Sequence, residues 1–485
     1  MKNLIIFDDT VAKSEIIEDV IGDRGFADVV VKRQTLYDKF VEDITAIIPD
    51  NEVKLITSHY EYRQMLDKLR DNTVSEAKVL HFFSNHIIAD KNTAELTFDK
   101  LRYVDDKLLI ADADNPVAVM FGSIGKYVDY LSAVVASDNE SMSTVARDIE
   151  AKTCIGGIIN IGKVENFIQC ITGNFDARYF NSLQGDEYTI VKTSTNKAKI
   201  KAEYNFWHLL PEDMKFWFVE PFNYQETEDR ASYTMERLHM TDLAIKWVHG
   251  SIDCNELEVI LDKYFYFFNH RHARPVSKDE YKLVADALYI GKVRNRVAEL
   301  KRMPQYEKIA TLLTLNDMDM DNLVDRYIAI KDKIEGMIPQ EPIAVIGHGD
   351  PCFANTMYNK ATRTLKFIDP KGAISEDDLW TNPYYDLAKL SHSICGRYDF
   401  FNNALFEIKV NQTFESEIDI EFEHEVHKKV FKKKVEENGY NYWLVRVYEA
   451  SLFISMLPLH IDNPHKVYGF ILNAANILQE IEDNV

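Results

Sequence analysis

The chain has 485 residues, of which 46% are hydrophobic and 28% are charged, and its formal net charge is −22 at pH 7. This length and composition predict two or three folded domains, and the negative charge argues against nonspecific binding to nucleic acid or to anionic membranes. The sequence contains no apolar run long enough for a membrane span and no signal-peptide pattern, so we expect a cytoplasmic protein. Its five cysteines form no Cys-x-x-Cys pair, so we expect neither a zinc site nor a disulfide framework.

Residues 1–150 alternate short apolar segments with helical patterns. Strand patterns at residues 4–7, 54–57 and 79–83 are separated by amphipathic stretches. This alternation predicts a parallel sheet flanked by helices, and therefore an α/β domain. After residue 90, the runs at 96–98 and 101–104 are interpreted as further short strands.

This N-terminal domain shows no recognisable catalytic motif. Asp8 and Asp9 end the first strand, but as neighbours they point to different sides of it. A phosphate-binding loop would need glycines directly after that strand, and the first glycine is Gly22. We therefore expect a binding or structural role for residues 1–150.

A hairpin and a helix are predicted between residues 180 and 210. Apolar runs at 180–183 and 188–193 flank the turn Gln184-Gly185-Asp186, which is typical of a hairpin. Lys192 alternates out of the second run and lies on the face opposite Val191. Residues 199–210 have a helical pattern that ends before Pro211.

The segment 343–390 carries the strongest functional signal. An apolar run at 343–346 leads into the turn Gly347-His348-Gly349-Asp350, and Asn355 follows five residues after Asp350. Two further apolar segments form a predicted hairpin whose second strand delivers Asp369 to the same end. Asp369 and Asn355 offer the hard oxygen ligands that magnesium prefers, and Asp350 is left to orient a hydroxyl group and accept its proton.

These motifs resemble those of the aminoglycoside phosphotransferase and choline kinase family, which is related to the protein kinases. His348-Gly349-Asp350-x-x-x-x-Asn355 is similar to the family's catalytic loop, and Phe367-Ile368-Asp369-Pro370 to its metal-binding strand end. Tyr385-Asp386-Leu387-Ala388 is similar to the start of the helix that follows. The resemblance implies ATP and Mg²⁺ as cofactors, Asp350 as the catalytic residue, and Asn355 and Asp369 as metal ligands. A protein kinase is disfavoured because no activation segment follows Asp369.

The resemblance also implies a nucleotide pocket. Lys192 is expected to contact the ATP phosphates, and Glu203 to pair with it. Residues 233–238 are similar to the hinge, with the Glu236 carbonyl and the Leu238 amide facing adenine and Met235 lining the pocket. An edge strand is the alternative interpretation of this stretch. Because no glycine-rich loop is present, the phosphates are expected to be covered by the turn before Phe180 or by Gln184-Gly185-Asp186.

The predicted fold is an α/β N-terminal domain followed by an α+β bilobal protein-kinase-like domain. The expected boundaries are 1–150 for the first domain, 151–240 for the small lobe and hinge, and 241–485 for the large lobe. Proteins of polysaccharide gene clusters sometimes join a nucleotidyltransferase-like domain to a kinase-like one, and this layout is similar.

The expected function is ATP- and Mg-dependent phosphoryl transfer to a hydroxyl of a small molecule, such as a sugar or amino alcohol, with a cell-surface polysaccharide pathway as one setting. The alternative is a catalytically silent nucleotide-binding module that serves the N-terminal domain as scaffold or sensor. Candidates for holding a cationic acceptor are Glu376, Asp377, Asp378 and Asp399. Arg271 and Arg274 are candidates for an anionic one, although a helix end is favoured there.

Overall fold

The structure is a computed structural model that describes residues 2–485 except 32–33, 71–75, 113–114, 138–141, 147–148, 150, 154–155, 172–180, 186–187, 239, 317, 339–340, 412–415 and 423. Of residues 151–153, 181–185 and 315, the backbone alone is described. The chain divides into two compact units, Met1–Asp176 and Ala177–Val485. None of the described helices combines the length and the apolar character needed to cross a bilayer.

The first unit contains the strands β1 Asn3–Asp8, β2 Val30–Val31, β3 Gln34–Thr35, β4 Asn51–Ile56, β5 Val79–Phe83, β6 His86–Ile88, β7 Lys107–Asp112, β8 Asn115–Phe121, β9 Ala151–Thr153 and β10 Ile158–Asn160. Its helices are α1 Glu15–Ile21, α2 Leu36–Ile47, α3 His59–Arg70, α4 Lys91–Phe98, α5 Ile124–Ala136, α6 Met142–Ala146 and α7 Val164–Ile171.

A six-stranded sheet of order β4-β1-β5-β8-β7-β9 forms the centre of the first unit. Strand β1 pairs in parallel with β4 and β5, whereas β8 is antiparallel to β5. Every residue of β5 is buried, because separate apolar clusters cover the two faces of the sheet. The strands predicted at 4–7 and 79–83 are confirmed as inner strands, but the predicted parallel sheet is mixed, because β8 runs antiparallel to both β5 and β7.

Residues 91–103 do not form the strands predicted at 96–98 and 101–104. They form helix α4 and a 3₁₀ helix at Asp99–Tyr103. The side chain of Asp90 caps α4 by accepting a hydrogen bond from the Asn92 amide, and Ala94, Thr97 and Phe98 are its buried residues. Their spacing of three and four is helical, and the prediction missed it.

Residues 151–176 belong to the first unit, although the sequence suggested a boundary at 150. Strand β9 pairs in parallel with β7 at the edge of the large sheet, and β10 pairs with β6. Both pairings join segments far apart in sequence, so local patterns do not reveal them.

Asp8 and Asp9 do point in different directions. Asp8 is fully buried and accepts a hydrogen bond from the Tyr62 hydroxyl at 2.6 Å. Its Oδ2 also lies 2.8 Å from His81 Nε2. Asp9 instead accepts hydrogen bonds from the amides of Phe26 at 2.9 Å and Ala27 at 3.0 Å. Both carboxylates thus tie loops and strands of this unit together.

The second unit contains the strands β11 Asn181–Gly185, β12 Thr189–Ser194, β13 Pro221–Glu226, β14 Ala231–Glu236, β15 Thr241–Asp242, β16 Ala273–Pro275, β17 Ile343–Ile346, β18 Thr356–Asn359, β19 Thr364–Phe367, β20 Trp380–Thr381, β21 Glu407–Val410 and β22 Ser416–Asp419. Its helices are α8 Lys197–Leu209, α9 Glu212–Lys215, α10 Leu243–Val248, α11 Cys254–His270, α12 Lys278–Asp286, α13 Lys292–Leu300, α14 Tyr306–Leu315, α15 Met320–Met337, α16 Tyr385–Ile394, α17 Tyr398–Asn402, α18 Glu425–Glu437, α19 Tyr442–Met456 and α20 Pro464–Asn484.

An antiparallel sheet of order β11-β12-β14-β13 opens the second unit, and helix α8 follows its strand β12. The predicted hairpin after the catalytic loop is confirmed as β18 and β19, with Thr356 opposite Phe367. Strand β17 before the loop pairs with β16 and β20. The remaining chain is mostly helical and packs around one large apolar core.

Candidate functional site

Lys192 lies at the centre of a three-residue ionic cluster. Its Nζ is 2.6 Å from Oδ1 of Asp369 and 2.8 Å from Oε2 of Glu203, and 4% of its side chain is exposed. Burial lowers the pKa of Lys192, but the attraction of Asp369 and Glu203 outweighs burial and raises this pKa above its ordinary value. The charged ammonium form of Lys192 is therefore favoured between the two carboxylates.

Glu203 is held by helix α8 and by Tyr233, and the segment after Asp369 packs on this helix at Ala202. It is a buried residue of α8, and its Oε2 accepts a hydrogen bond from the Tyr233 hydroxyl at 3.1 Å. The segment after Asp369 passes directly over α8, where the Ala373 amide donates to the Ala202 carbonyl at 2.9 Å. Gly372 makes this approach possible, because its φ is +84° and an added Cβ would lie 2.8 Å from Ala202.

Asp386 fixes the backbone of the loop that contains Gly347-His348-Gly349-Asp350, the predicted catalytic loop. Its carboxylate accepts hydrogen bonds from the amides of His348 at 3.0 Å and Gly349 at 2.8 Å. Arg271 Nη1 lies 2.9 Å from the same carboxylate, and both side chains are fully buried. Arg271 also donates to the Pro383 carbonyl at 2.8 Å, so the hypothesis that it binds an anionic acceptor is wrong.

His348 links the loop to the strand that carries Asp369. The Asp350 amide donates to His348 Nδ1 at 3.0 Å, and His348 Nε2 lies 2.9 Å from the Ile368 carbonyl. These two contacts require the neutral tautomer with the proton on Nε2. Burial lowers the pKa of His348, which favours the same neutral form.

Asn355 precedes β18 and Asp369 follows β19, so both lie at the open end of the β18–β19 hairpin. The Ile368 amide donates to the Asn355 carbonyl at 3.0 Å. Asn355 Nδ2 donates to the Asp350 carbonyl at 2.9 Å, which turns the amide oxygen away from that bond. Asp369 has a φ of +54°, an uncommon conformation for a residue other than glycine, and 40% of its side chain is exposed.

These residues fit a magnesium ion that is bound mainly through phosphates. Mg²⁺ at kinase sites uses one or two protein oxygens and takes its other ligands from phosphates and water. Asp369 and Asn355 supply that number and that chemistry. No group of three or more His, Cys, Asp or Glu residues among the described residues is arranged to hold a metal.

Asp350 is paired with Lys389, a residue that the sequence interpretation missed. Lys389 Nζ lies 3.1 Å from Asp350 Oδ1, with 14% of the lysine side chain and 40% of the aspartate side chain exposed. Burial raises the pKa of Asp350, but the attraction of Lys389 outweighs it, and the net pKa is lowered. A signal was present, since Asp386 and Lys389 are three residues apart and share one face of α16.

The acidic candidates for binding an acceptor separate into two groups. Glu376, Asp377 and Asp378 are exposed, and Asp378 completes a capping box with Ser375. Asp399 is 1% exposed and is close enough to the carboxylates of Asp242 and Asp350 to be repelled by both.

We expect Asp399 to make the second unit less stable as pH rises. Burial raises its pKa to about 7, above the value of about 4 expected in the unfolded chain. Its contribution to stability is thus present below pH 4 and is lost as the pH rises through 7. Asp399→Asn should therefore be more stable than the wild type at pH 8, by about 1–3 kcal/mol, and not at pH 4.

Urea unfolding followed by tryptophan fluorescence measures this effect for the second unit. All five tryptophans belong to that unit: Trp207, Trp217, Trp247, Trp380 and Trp443. The exposed Asp377 provides a matched Asp→Asn control that should keep the wild-type pH slope. Equal slopes for wild type and Asp399→Asn would contradict the prediction.

The predicted hinge residues lie at the end of β14. Met235 lines a cavity together with Glu203 and Asp369. Glu236 is exposed and pairs with Thr189 of β12, and Leu238 is half-buried just beyond the strand. The alternative of an edge strand is wrong, because β14 lies between β12 and β13. Of the two turns predicted to cover the phosphates, the one before Phe180 lies outside the described residues, as does Asp186 of the other.

No protein-family profile and no curated protein sequence matches the chain. The chain is similar to solved structures of a thermostable mutant of aminoglycoside phosphotransferase APH(4)-Ia. The apo form is 12% identical at a TM-score of 0.36, and the match covers 62% of this chain and 94% of that chain. A ternary complex with ADP and hygromycin B is 11% identical at a TM-score of 0.34, with the same coverages of 62% and 94%. A ternary complex with AMP-PNP and hygromycin B is 12% identical at a TM-score of 0.34, covering 66% of this chain and 99% of that chain.

Proposed function

We propose that this chain is a small-molecule kinase that transfers the γ-phosphoryl group of Mg-ATP to an alcohol. The observation that carries the proposal is the contact of Lys192 Nζ with both Glu203 and Asp369, at 2.8 and 2.6 Å. These contacts join Lys192 of strand β12 to Glu203 of helix α8 and to Asp369, the carboxylate proposed to bind the metal. Phosphoryl transfer needs this combination of positioning and charge neutralisation.

The nucleotide half of the reaction is assigned to Lys192, Glu203, Asn355 and Asp369. Glu203 is buried and keeps the Lys192 ammonium aimed at the site where the α and β phosphates would lie. Asp369 and Asn355 would hold Mg²⁺, which neutralises charge on the β and γ phosphates. The end of β14, from Met235 to Leu238, is assigned to the adenine ring, with the backbone of Glu236 and Leu238 as its hydrogen-bonding groups.

The acceptor half is assigned to Asp350. Its carboxylate is half-exposed and remains ionised beside Lys389. It would orient the acceptor hydroxyl and accept its proton as the bond from oxygen to phosphorus forms. Because Asp386 and His348 fix the loop on both sides, the carboxylate is preorganised for this role.

The acceptor class is a sugar, an amino alcohol or a related metabolite. Asp399 is buried and is repelled by the carboxylates of Asp242 and Asp350, and this accumulation of acidic groups favours an acceptor without negative charge. The presence of a separate α/β unit before the kinase-like unit supports a role in building a cell-surface polysaccharide. ATP as the donor would place the reaction in the cytoplasm.

Nucleotide binding should depend on magnesium and on Asp369. Calorimetric titration with AMP-PNP is expected to give binding in the presence of Mg²⁺ and much weaker binding with EDTA. Asp369→Asn removes one charge from the proposed metal site and should lose most of this difference, by about tenfold or more in Kd. Asp377→Asn changes an aspartate with 90% of its side chain exposed and should behave as the wild type.

Turnover is tested by ADP release from Mg-ATP against a panel of sugars and amino alcohols. At least one acceptor should accelerate ADP release and be recovered as a phosphate ester. Magnesium-dependent binding without consumption across the panel would favour a silent nucleotide-binding module instead. Absence of any magnesium-dependent binding would refute both assignments.

A further inference from the structure

Lys389 is a largely buried lysine that lies beside Asp350. Lys389 contacts Asp350 at 3.1 Å, and it comes from the middle of helix α16 rather than from the loop. Burial lowers the pKa of Lys389, but attraction to Asp350 dominates and raises it. This direction favours the charged ammonium beside the carboxylate.

Helix α16 holds the catalytic loop at two levels. Asp386 accepts the backbone amides of His348 and Gly349. One turn later, Lys389 holds the side chain of Asp350. Both contacts start from one rigid, buried helix, so the position of the Asp350 carboxylate is fixed relative to the loop backbone.

The charged groups around Asp350 explain why a cation is needed beside it. The groups that act electrostatically on Asp350 or respond to it include Lys389 from α16, Asp399 and Tyr398 from α17, and His348 and Cys352 from the loop. Asp399 repels the Asp350 carboxylate, and His348 is neutral. Without Lys389, no ammonium would hold the Asp350 carboxylate in place. Repulsion by Asp399 would then favour rotation of the Asp350 side chain toward solvent.

We propose that Lys389 is a positioning residue for phosphoryl transfer, which holds Oδ1 of Asp350 so that Oδ2 receives the proton of the acceptor hydroxyl. This inference rests on the proposed kinase function. In the step itself, the acceptor oxygen bonds to the γ-phosphorus, the bond from phosphorus to the ADP oxygen breaks, and the hydroxyl proton moves to Asp350. Lys389 contacts neither the nucleotide nor the acceptor.

The ion pair makes a specific kinetic prediction for Lys389→Met. We expect kcat for ADP release from Mg-ATP, with water or with the best alcohol of the panel as acceptor, to fall about 10²-fold. KM for Mg-ATP and the Kd for Mg-AMP-PNP should not change, because the lysine acts through Asp350. Lys389→Arg keeps the charge and should recover part of the rate.

A matched lysine provides the control. Lys434 has 13% of its side chain exposed and pairs with Asp262 at 2.6 Å, in helices remote in sequence from the loop. Lys434→Met should therefore show the wild-type rate. Unchanged Kd for Mg-AMP-PNP in Lys389→Met verifies that this variant is folded.

A double-mutant cycle with Asp350→Asn tests the route of the effect. If Lys389 acts through Asp350, Lys389→Met will cost little in the Asp350→Asn background. Additive losses, a raised KM for Mg-ATP or a wild-type rate in Lys389→Met would each overturn the proposal. A wild-type rate in Asp350→Asn alone would instead refute the proposed function, so the two failures are distinguishable.

Discussion

Replacing Asp350 with alanine is expected to reduce phosphoryl transfer by about 10²–10⁴-fold, the usual contribution of a positioned general base. The variant loses the carboxylate that would orient the hydroxyl and accept its proton. Lys192, Glu203 and Asp369 keep their mutual contacts, so Mg-AMP-PNP should bind as in the wild type. A loss of rate with retained binding would assign Asp350 to the acceptor half of the reaction.

The experiment compares kcat and KM for Mg-ATP with the best acceptor of the panel. Asp377→Ala removes an exposed aspartate from the same unit and should keep the wild-type kcat. Removal of Asp350 leaves Lys389 without this carboxylate partner. The tryptophan-fluorescence unfolding curve therefore checks that the variant is still folded. Equal turnover by wild type and Asp350→Ala would refute the assignment.

Local patterns were sufficient to predict the elements that carry the candidate site. The hairpin after the catalytic loop is confirmed, because alternating apolar residues and a polar turn determine it over a dozen neighbouring positions. The side of the strand on which Lys192 lies follows from the two-residue period of a strand. That Glu203 reaches Lys192 was implied by the resemblance. Glu203 is the one acidic residue of α8, but a helical period alone does not say which strand residue it contacts.

The contacts that hold the loop were not predictable in this way. Arg271 lies 115 residues before its partner Asp386, and its neighbourhood in sequence is aromatic and basic. Such a stretch is equally compatible with a helix end or with an anion site. Only the fold shows that Arg271 is fully buried and therefore has to be paired.

The strand that completes the sheet of the first unit was not predictable for the same physical reason. Strand β9 completes the first sheet by pairing with β7, and a three-residue strand has too few positions to show a period. In residues 91–103, short apolar runs fit a strand as well as a helix, and the cap at Asp90 decides for the helix. The structure of β9 thus depends on pairing with a distant strand, and that of residues 91–103 depends on a helix cap.

Breaking the buried Arg271–Asp386 pair is expected to destabilise the second unit by about 3–5 kcal/mol, because the remaining charge is left buried without its partner. Arg271→Met leaves the buried Asp386 carboxylate without its cationic partner, and the amides of His348 and Gly349 are its remaining donors. Asp386→Leu leaves the buried Arg271 without its carboxylate partner and also leaves both amides without this acceptor. The second variant should therefore be the less stable of the two.

The double variant separates charge from hydrogen bonding. Arg271→Met combined with Asp386→Leu leaves no buried charge, so its loss should be smaller than the sum of the single losses. It should not recover fully, since each orphaned amide still costs about 1–3 kcal/mol. Arg274→Met is the matched control, because Arg274 is three residues from Arg271 but has 40% of its side chain exposed. An exposed ion pair contributes about 0–1 kcal/mol to the free energy of unfolding. Urea unfolding followed by tryptophan fluorescence reports each value, and additive single losses would mean that the loop is not held by this pair.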